Sequence, residues 1–150
     1  MRYDVVSDTH GFLSDELLCA LEGADVIIHA GDICSTHDLR RLERIAPVKL
    51  CLGNNDYGYD FGPFVTCTCR FFSDELRWQV NHYRERLDLD VCDVAVCGHT
   101  HRPLIETDRR TGVLVMNPGS PTYPRAVGPS MGRIVVKDRR IVSADIVRLG

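Results

Sequence analysis

The chain predicts an α/β fold with more strand than helix, built from two sheets packed face to face. Three observations carry this. The first third alternates β-branched runs with amphipathic segments. The remainder is a series of short apolar runs separated by turn residues. No repeat, low-complexity tract or long linker divides the 150 residues, so one domain spanning 1–150 with a sizeable core is expected.

Each element has a local reason. "YDVVSD" is a strand that breaks at Ser7-Asp8-Thr9-His10-Gly11. Ser14 is placed to cap a helix with Asp15 and Glu16 in its first turn, where carboxylates suit the helix dipole. Leu17, Leu18 and Leu21 share its inner side, and Gly23 ends it. "DVIIHAGD" is a buried-type strand closed by Gly31-Asp32, with His29 read as structural. Ser35 and Asp38 form a capping box for a second helix, which Leu39, Leu42 and Ile45 make amphipathic and Pro47 stops. "VKLCLGNND" is the third strand. This β-α-β-α-β order implies parallel strands with right-handed crossovers. "FVTCTCRFF" and "LRWQVNHY" then read as neighbouring strands joined by Ser73-Asp74-Glu75. "CDVAVCG", "PLIETD", "VLVMNPG", "RIVVKD" and "IVSADIVRL" complete the strand series.

Composition excludes several function classes. The net charge is −3, and the arginine pairs at 40–41, 109–110 and 139–140 are scattered, so no nucleic-acid-binding patch is evident. No apolar run approaches the roughly 20 residues needed to cross a bilayer, and the N-terminus has no signal-peptide layout. The seven cysteines are odd in number and contain no C-x-x-C pair. Cys51, Cys67, Cys69, Cys92 and Cys97 sit in or beside apolar runs, and reduced, buried thiols are expected there. A cytoplasmic location follows.

In open α/β sheets, functional groups gather in the loops beyond the carboxyl ends of parallel strands. Here those loops deliver Asp8 and His10, then Asp32, then Asn54, Asn55 and Asp56, then His82, then His99 and His101. Taken singly, most are ordinary turns: Asp8 with His10 reads as an Asx-type turn, and Gly53-Asn54-Asn55-Asp56 is a good turn on propensity alone. His99 and His101, two apart in extended chain, would project to one side. Together, the seven oxygen and nitrogen donors Asp8, His10, Asp32, Asn54, His82, His99 and His101 are too many for one ion. They suit two ions about 3.5–4 Å apart sharing a carboxylate. Without a thiolate in the set, a zinc-finger type of site is disfavoured, and a hydrolytic site is the better chemical reading.

In order, D-x-H, G-D, G-N-x-D, a lone His and G-H-x-H appear as Asp8-Thr9-His10, Gly31-Asp32, Gly53-Asn54-Asn55-Asp56, His82 and Gly98-His99-Thr100-His101. This series resembles the calcineurin-like metallophosphoesterases. The short length, "NPGS" at Asn117 to Ser120 and the following Pro124-Arg125 look most like the small bacterial and archaeal phosphodiesterase branch. That branch also includes the metallophosphoesterase-like retromer subunit. The resemblance implies a four-layer α/β/β/α sandwich. It implies one metal on Asp8, His10, Asp32 and His101, and a second on Asp32, Asn54, His82 and His99, with Asp32 bridging. Asp32, Asn54 and His99 count as catalytic as well as ligating. Manganese is the favoured metal, with Fe²⁺, Zn²⁺ or Ni²⁺ as alternatives. Their shared water would attack phosphorus in a small phosphoester, a phosphodiester by the branch.

Two positions depart from the family pattern. The usual H-G-H is His82-Tyr83-Arg84 here, so Tyr83 crowds the loop and Arg84 becomes a candidate phosphate contact. Larger members carry histidine where this chain has Asn55, which cannot donate a proton at neutral pH; substrates with good leaving groups should react fastest. Asn55, Tyr83, Arg84 and Arg125 are the candidate substrate contacts, and Asp56 is expected to orient the ligand loop. Two rivals are a non-catalytic metal-binding scaffold or interaction module of the same fold, and a redox or transport metalloprotein, for which no motif speaks. Self-association is left open.

Overall fold

A computed structural model describes residues 1–150. Ten strands form two mixed five-stranded sheets. The first has the order β10-β9-β1-β2-β3, with β1 at Arg2–Val6, β2 at Val26–His29, β3 at Val48–Leu50, β9 at Ser130–Lys137 and β10 at Arg140–Arg148. The second has the order β4-β5-β6-β8-β7, with β4 at Thr68–Ser73, β5 at Leu76–Asn81, β6 at Val94–Val96, β7 at Leu104–Thr107 and β8 at Leu114–Asn117. β1, β2 and β3 run parallel, as do β5, β6 and β8. Two sets of strand carboxyl ends are thereby available to the site.

The period-2 alternation of β1 explains the layering. Tyr3 and Val5 enter the space between the sheets and meet Trp78, Val80, Val96, Met116 and Ile134. Val6 faces the other way, into a second core with Leu17 and Leu21 of α1 (Asp15–Leu21) and Leu42 of α2 (Thr36–Glu43). On that side Asp4 is fully buried and accepts from the guanidinium groups of Arg2 and Arg133. Both arginines also donate to Ala20 O at 2.8 Å, which staples the end of α1 to β1 and β9. Removing one partner of so buried an ionic cluster would cost about 3–5 kcal/mol.

Most sequence expectations hold, with local differences. Ser14 and Ser35 cap α1 and α2 through Leu17 N and Asp38 N. The box at Ser35 is only half made, because Asp38 Oδ2 is buried without a partner. The hairpin at Asp74 and Glu75 turns with φ of 54° and 60°, the twist that matches antiparallel strands. The strand expected from Phe64 begins only at Thr68; Phe64 is 96% exposed. Cys67 is exposed too, contrary to its expected burial, because it lies in that loop and not in the strand. Both α-helices cover the first sheet. The outer face of the second sheet, with its cluster of Cys92, Ala95, Val113 and Val115, is topped only by a 3₁₀ turn at Arg84–Arg86 and the segment carrying Leu87 and Leu89. That fourth layer is thinner than the α/β/β/α expectation.

His29, at the carboxyl end of β2, ties the sheet to the first functional loop. Its Nδ1 accepts from Gly31 N at 3.1 Å, so the ring proton sits on Nε2 and is donated to Thr9 Oγ1 at 3.0 Å. Burial, aided by the nearby His82, lowers its pKa from 6.5 to about 3. Between these values the unfolded chain carries a proton that the folded chain does not. The contribution to stability is therefore complete above pH 6.5 and is lost as the pH falls toward about 3. In metal-free protein, the pH slope of the unfolding free energy across this window should flatten in His29→Gln by close to one proton. An unchanged slope would show that His29 titrates alike in both states.

Candidate metal centre

All five loops open at one edge of the sandwich, where β1 and β2 of one sheet face β5 and β6 of the other. Asp8 is buried at the middle. Its Oδ2 accepts from Ser7 Oγ at 2.6 Å and His99 N at 3.0 Å. Its Oδ1 has no hydrogen-bond partner and lies 3.2 Å from His101 Nε2, 3.8 Å from His10 Nε2 and 3.8 Å from His82 Nε2. Asp32 Oδ2 is 3.4 Å from His82 Nε2 and 3.8 Å from His10 Nε2. Two groups of donor atoms result, Asp8 with His10 and His101, and Asp8 with Asp32 and His82. Asp8 is common to both groups.

The imidazoles are oriented for cation binding. His82 Nδ1 donates to Ala30 O at 2.7 Å, and His101 Nδ1 donates to Tyr123 O at 2.7 Å. A carbonyl acceptor fixes the proton on Nδ1 and leaves the Nε2 lone pair of the neutral ring facing the carboxylates. His82 Nε2 is itself buried without a hydrogen-bond partner. Two orphaned acceptor atoms, Asp8 Oδ1 and the His82 Nε2 lone pair, lie 3.8 Å apart in a pocket of carboxylate and imidazole; without a donor between them they are a poor arrangement for a dry core and fit a divalent cation.

Electrostatics agree. Burial raises the Asp8 carboxyl above its ordinary pKa, against the opposing pull of His82. Burial also pushes Asp32 up, but His82 and the Asn55 hydrogen bonds more than offset it and hold this carboxyl well below the usual range. At His82 burial lowers the pKa, yet Asp32 and Asp8 prevail and the net change is upward. The two carboxylates thus draw positive charge onto His82; a bound cation would take that role and release the proton.

The backbone is strained where the donors sit. Asp8, His10, Asp32, His99 and His101 all have φ between 51° and 71°. Each such left-handed residue costs about 1 kcal/mol or more, and such strain concentrates at functional sites. The extended-chain reading of His99 and His101 is therefore corrected: both have left-handed φ, His99 and Thr100 form a bend, Thr100 N donates to Gly98 O, and the rings diverge. His101 turns to Asp8 and His10. His99 is exposed, its ring 5.1 Å from His82 and 4.8 Å from Tyr83. Two glycines permit this crowding. A Cβ on Gly98 would collide with Ser7 Oγ and come 2.8 Å from Asp8 Oδ2. A Cβ on Gly31, at φ 100°, would come 2.8 Å from His82 Nδ1.

The other positions fall as follows. Asn54 is exposed, and its carboxamide forms no hydrogen bond. Asn55 instead holds Asp32, through N to Oδ1 at 2.8 Å and Nδ2 to Oδ2 at 2.9 Å. Asp56 is buried and accepts from Asp32 N, Gly53 N and Cys34 N, at 2.7, 2.7 and 2.9 Å. Arg84 is ion-paired with Glu106. Arg125 is exposed; its backbone N donates to His101 O, and its guanidinium has no partner. Ser120 and Thr122 escaped the sequence reading. Their hydroxyls donate to Asp8 O and Thr9 O, at 2.8 and 2.9 Å, so the "NPGS" loop clamps the first functional loop. Only the presence of the motif could have signalled this.

Fold and donor set together define a metal-binding two-sheet α/β sandwich. A family model described as calcineurin-like phosphoesterase superfamily domain matches residues 1–139. A probable metallophosphoesterase of Methanothermobacter thermautotrophicus is 32% identical over 168 aligned positions, which cover 100% of this chain and 94% of that protein. Among solved structures, Vps29 of Entamoeba histolytica complexed with Zn²⁺ matches with a TM-score of 0.75 at 21% identity, covering 98% of this chain and 97% of that one. A structure described as a novel archaeal phosphodiesterase matches with a TM-score of 0.72 at 22% identity, covering 98% and 100%. The chain belongs to the calcineurin-like phosphoesterase superfamily. No helix is long and apolar enough to cross a membrane.

Because Asp56 gathers three backbone N–H groups around Asp32, Asp56→Ala should weaken divalent-metal affinity about 10–100-fold, the usual effect of removing a group that orients ligands. Asp56→Asn, which retains one acceptor oxygen, should fall between. Metal titration of the three proteins at constant pH checks this; equal affinities would remove Asp56 from the ligand scaffold.

Proposed function

We propose that the chain hydrolyses phosphodiesters at a two-metal centre. Asp8, His10, Asp32 and His101 hold one ion, and Asp32, Asn54, His82 and His99 hold the other. The observation that carries this reading is the orphaned Asp8 Oδ1, buried and faced by three imidazole Nε2 atoms from both sheets. The archaeal neighbour is itself described as a phosphodiesterase, which supports the diester preference. Two divalent ions, with manganese the favoured metal, would supply a water of lowered pKa and neutralise charge developing at phosphorus.

The remaining work belongs to the chain. His82 and His101 keep their Nδ1 protons on backbone carbonyls, so neither ring needs to reorient to ligate. Asn55 steadies Asp32 and offers no acid, so the leaving alcohol must depart without a proton from this position. Arg125 is the substrate contact on the His101 side, since Arg84 is bound to Glu106. Tyr83 narrows the flank at His99.

With Mn²⁺, bis(4-nitrophenyl) phosphate should be cleaved faster than 4-nitrophenyl phosphate, and two ions should bind per chain. Metal binding with no turnover of either ester would leave the domain as a metal-binding scaffold. Asp32→Ala should lower kcat/KM by about a thousandfold, in line with losing a preorganised charged group. Asn55→Ala should stay within about tenfold, because its backbone N–H still reaches Asp32 Oδ1. Similar losses in both variants, with folding intact, would overturn the assignment of Asp32. Tyr83→Gly should lower KM for bulky diesters more than for small ones; a uniform effect would make Tyr83 purely structural.

A further inference from the structure

We propose that the cavity beside His99 is the subsite for one ester group of the substrate, and that it selects phosphodiesters in which this group is an uncharged aromatic ring. The proposal rests on the phosphoesterase reading above and adds the chemistry of the group attached to phosphorus. The cavity has a volume of about 320 Å³; it is lined by His99 of the proposed ligand set and by Tyr83 and Gly98, the chain neighbours of His82 and His99. That volume is at the lower end for small-molecule sites, so it takes one ring-sized group and not a polymer.

Its inner wall is apolar, made of Cys97, Pro103 and Leu104. Burial pushes the Cys97 thiol up to about 11, so the thiol stays neutral. Two polar side chains of the lining, Asn117 and Thr100, are engaged internally. Asn117 donates to Gly98 O and Thr100 Oγ1, each at 3.0 Å, and accepts from Gly119 N at 2.9 Å. Thr100 Oγ1 accepts in addition from Arg102 N at 3.3 Å. Against Cys97, Pro103 and Leu104 a sugar or glycerol group would lose water and meet the Asn117 carboxamide already engaged, which is unfavourable.

Charge at the mouth cancels. Arg84 is neutralised by Glu106. The other two charged residues, Glu85 and Arg102, are exposed, form no ion pair and oppose each other in sign. A second phosphate gains nothing from such a balance. The rings of Tyr83 and His99, with centroids 4.8 Å apart and planes at 56°, form an aromatic corner at the junction of cavity and donor cluster. Aromatic groups pack well on such surfaces in edge-to-face or offset geometry.

Phosphonates test this without turnover, because their P–C bond is not hydrolysed. Calorimetry on the Mn²⁺-loaded full chain would compare methylphosphonate with phenylphosphonate. Burial of the ring should make phenylphosphonate bind about tenfold tighter. Leu104→Trp, which fills the cavity, should bring the ratio close to one while leaving methylphosphonate affinity unchanged. Leu104→Ala, which enlarges it, should move the preference toward 2-naphthylphosphonate, and this variant decides the matter if the tryptophan variant does not fold. Equal binding in the wild type overturns the proposal. So does a phenyl preference that survives Leu104→Trp, or a phenyl-to-naphthyl ratio unmoved by Leu104→Ala. Failure of both phosphonates to bind in the presence of Mn²⁺ overturns the phosphoesterase reading as well, which keeps the two failures distinguishable.

Discussion

Asp8 is held so completely that only one of its carboxylate oxygens, Oδ1, remains free. Ser7 Oγ and His99 N occupy Oδ2, and Ser120 Oγ occupies its main-chain carbonyl. The side chain cannot rotate away from the three imidazoles that face Oδ1 without breaking its bonds to Ser7 and to His99 of the opposite sheet's loop. A buried carboxylate oxygen without a partner is expensive in any fold. With three imidazole Nε2 atoms around it, the oxygen fits a cation in the shared space, and the surrounding structure keeps it in place.

The same constraint explains why the site needs both sheets. Asp8 and Asp32 follow β1 and β2, whereas His82, His99 and His101 follow β5 and β6. The inter-sheet core fixes the distance between the two sets: Tyr3 and Val5 of β1 pack in one cluster with Trp78, Val80 and Val96 of β5 and β6. The last residues before the donor loops are thus among the best-packed in the molecule. Packed interiors transmit small volume changes, so substitutions at Val5 or Val96 would shift donor spacing without touching a donor. The left-handed backbone at five donors is tolerable because these neighbours hold it.

Much of this was legible in the residues. The β-α-β-α-β start, the caps at Ser14 and Ser35 and the donor-bearing loops follow from periodicity, turn chemistry and position after strands. Less was legible where tertiary partners decide. Nothing local distinguishes Asn55, which holds Asp32, from its equally exposed neighbour Asn54, whose carboxamide makes no hydrogen bond. Dihedral angles at His99 and His101 depend on the close approach of Gly98 to Ser7 across the two sheets, so the extended reading of that stretch failed. Arg84 could not be separated from a phosphate ligand until its partner Glu106, 22 positions on in β7, was seen beside it. The start of β4 was misplaced because Phe64 and Val65 look strand-like, yet the sheet offers them no neighbour.

The distribution of arginines adds a last constraint on how the site handles anionic substrates. Arg2 and Arg133 are committed to Asp4, Arg77 to Asp93, and Arg110 to Asp90. Next to the donor cluster, Arg84 is paired with Glu106 and Arg86 lies 4.6 Å from the centroid of the Tyr83 ring. No guanidinium is directed into the cluster by a hydrogen bond or an ion pair; those of Arg102 and Arg125 at its margins have no protein partner. The protein therefore presents an anion with carboxylates and imidazoles at the centre and little fixed positive charge. An anionic phosphoester would be repelled by Asp8 and Asp32 unless cations intervened, because like charges at close range in a partly buried site are unfavourable. Affinity for the phosphoryl group would then depend on metal loading. Discrimination among esters would fall to shape on the Tyr83 side, where the chain has placed a ring in the position of a glycine and tied the adjacent arginine to Glu106.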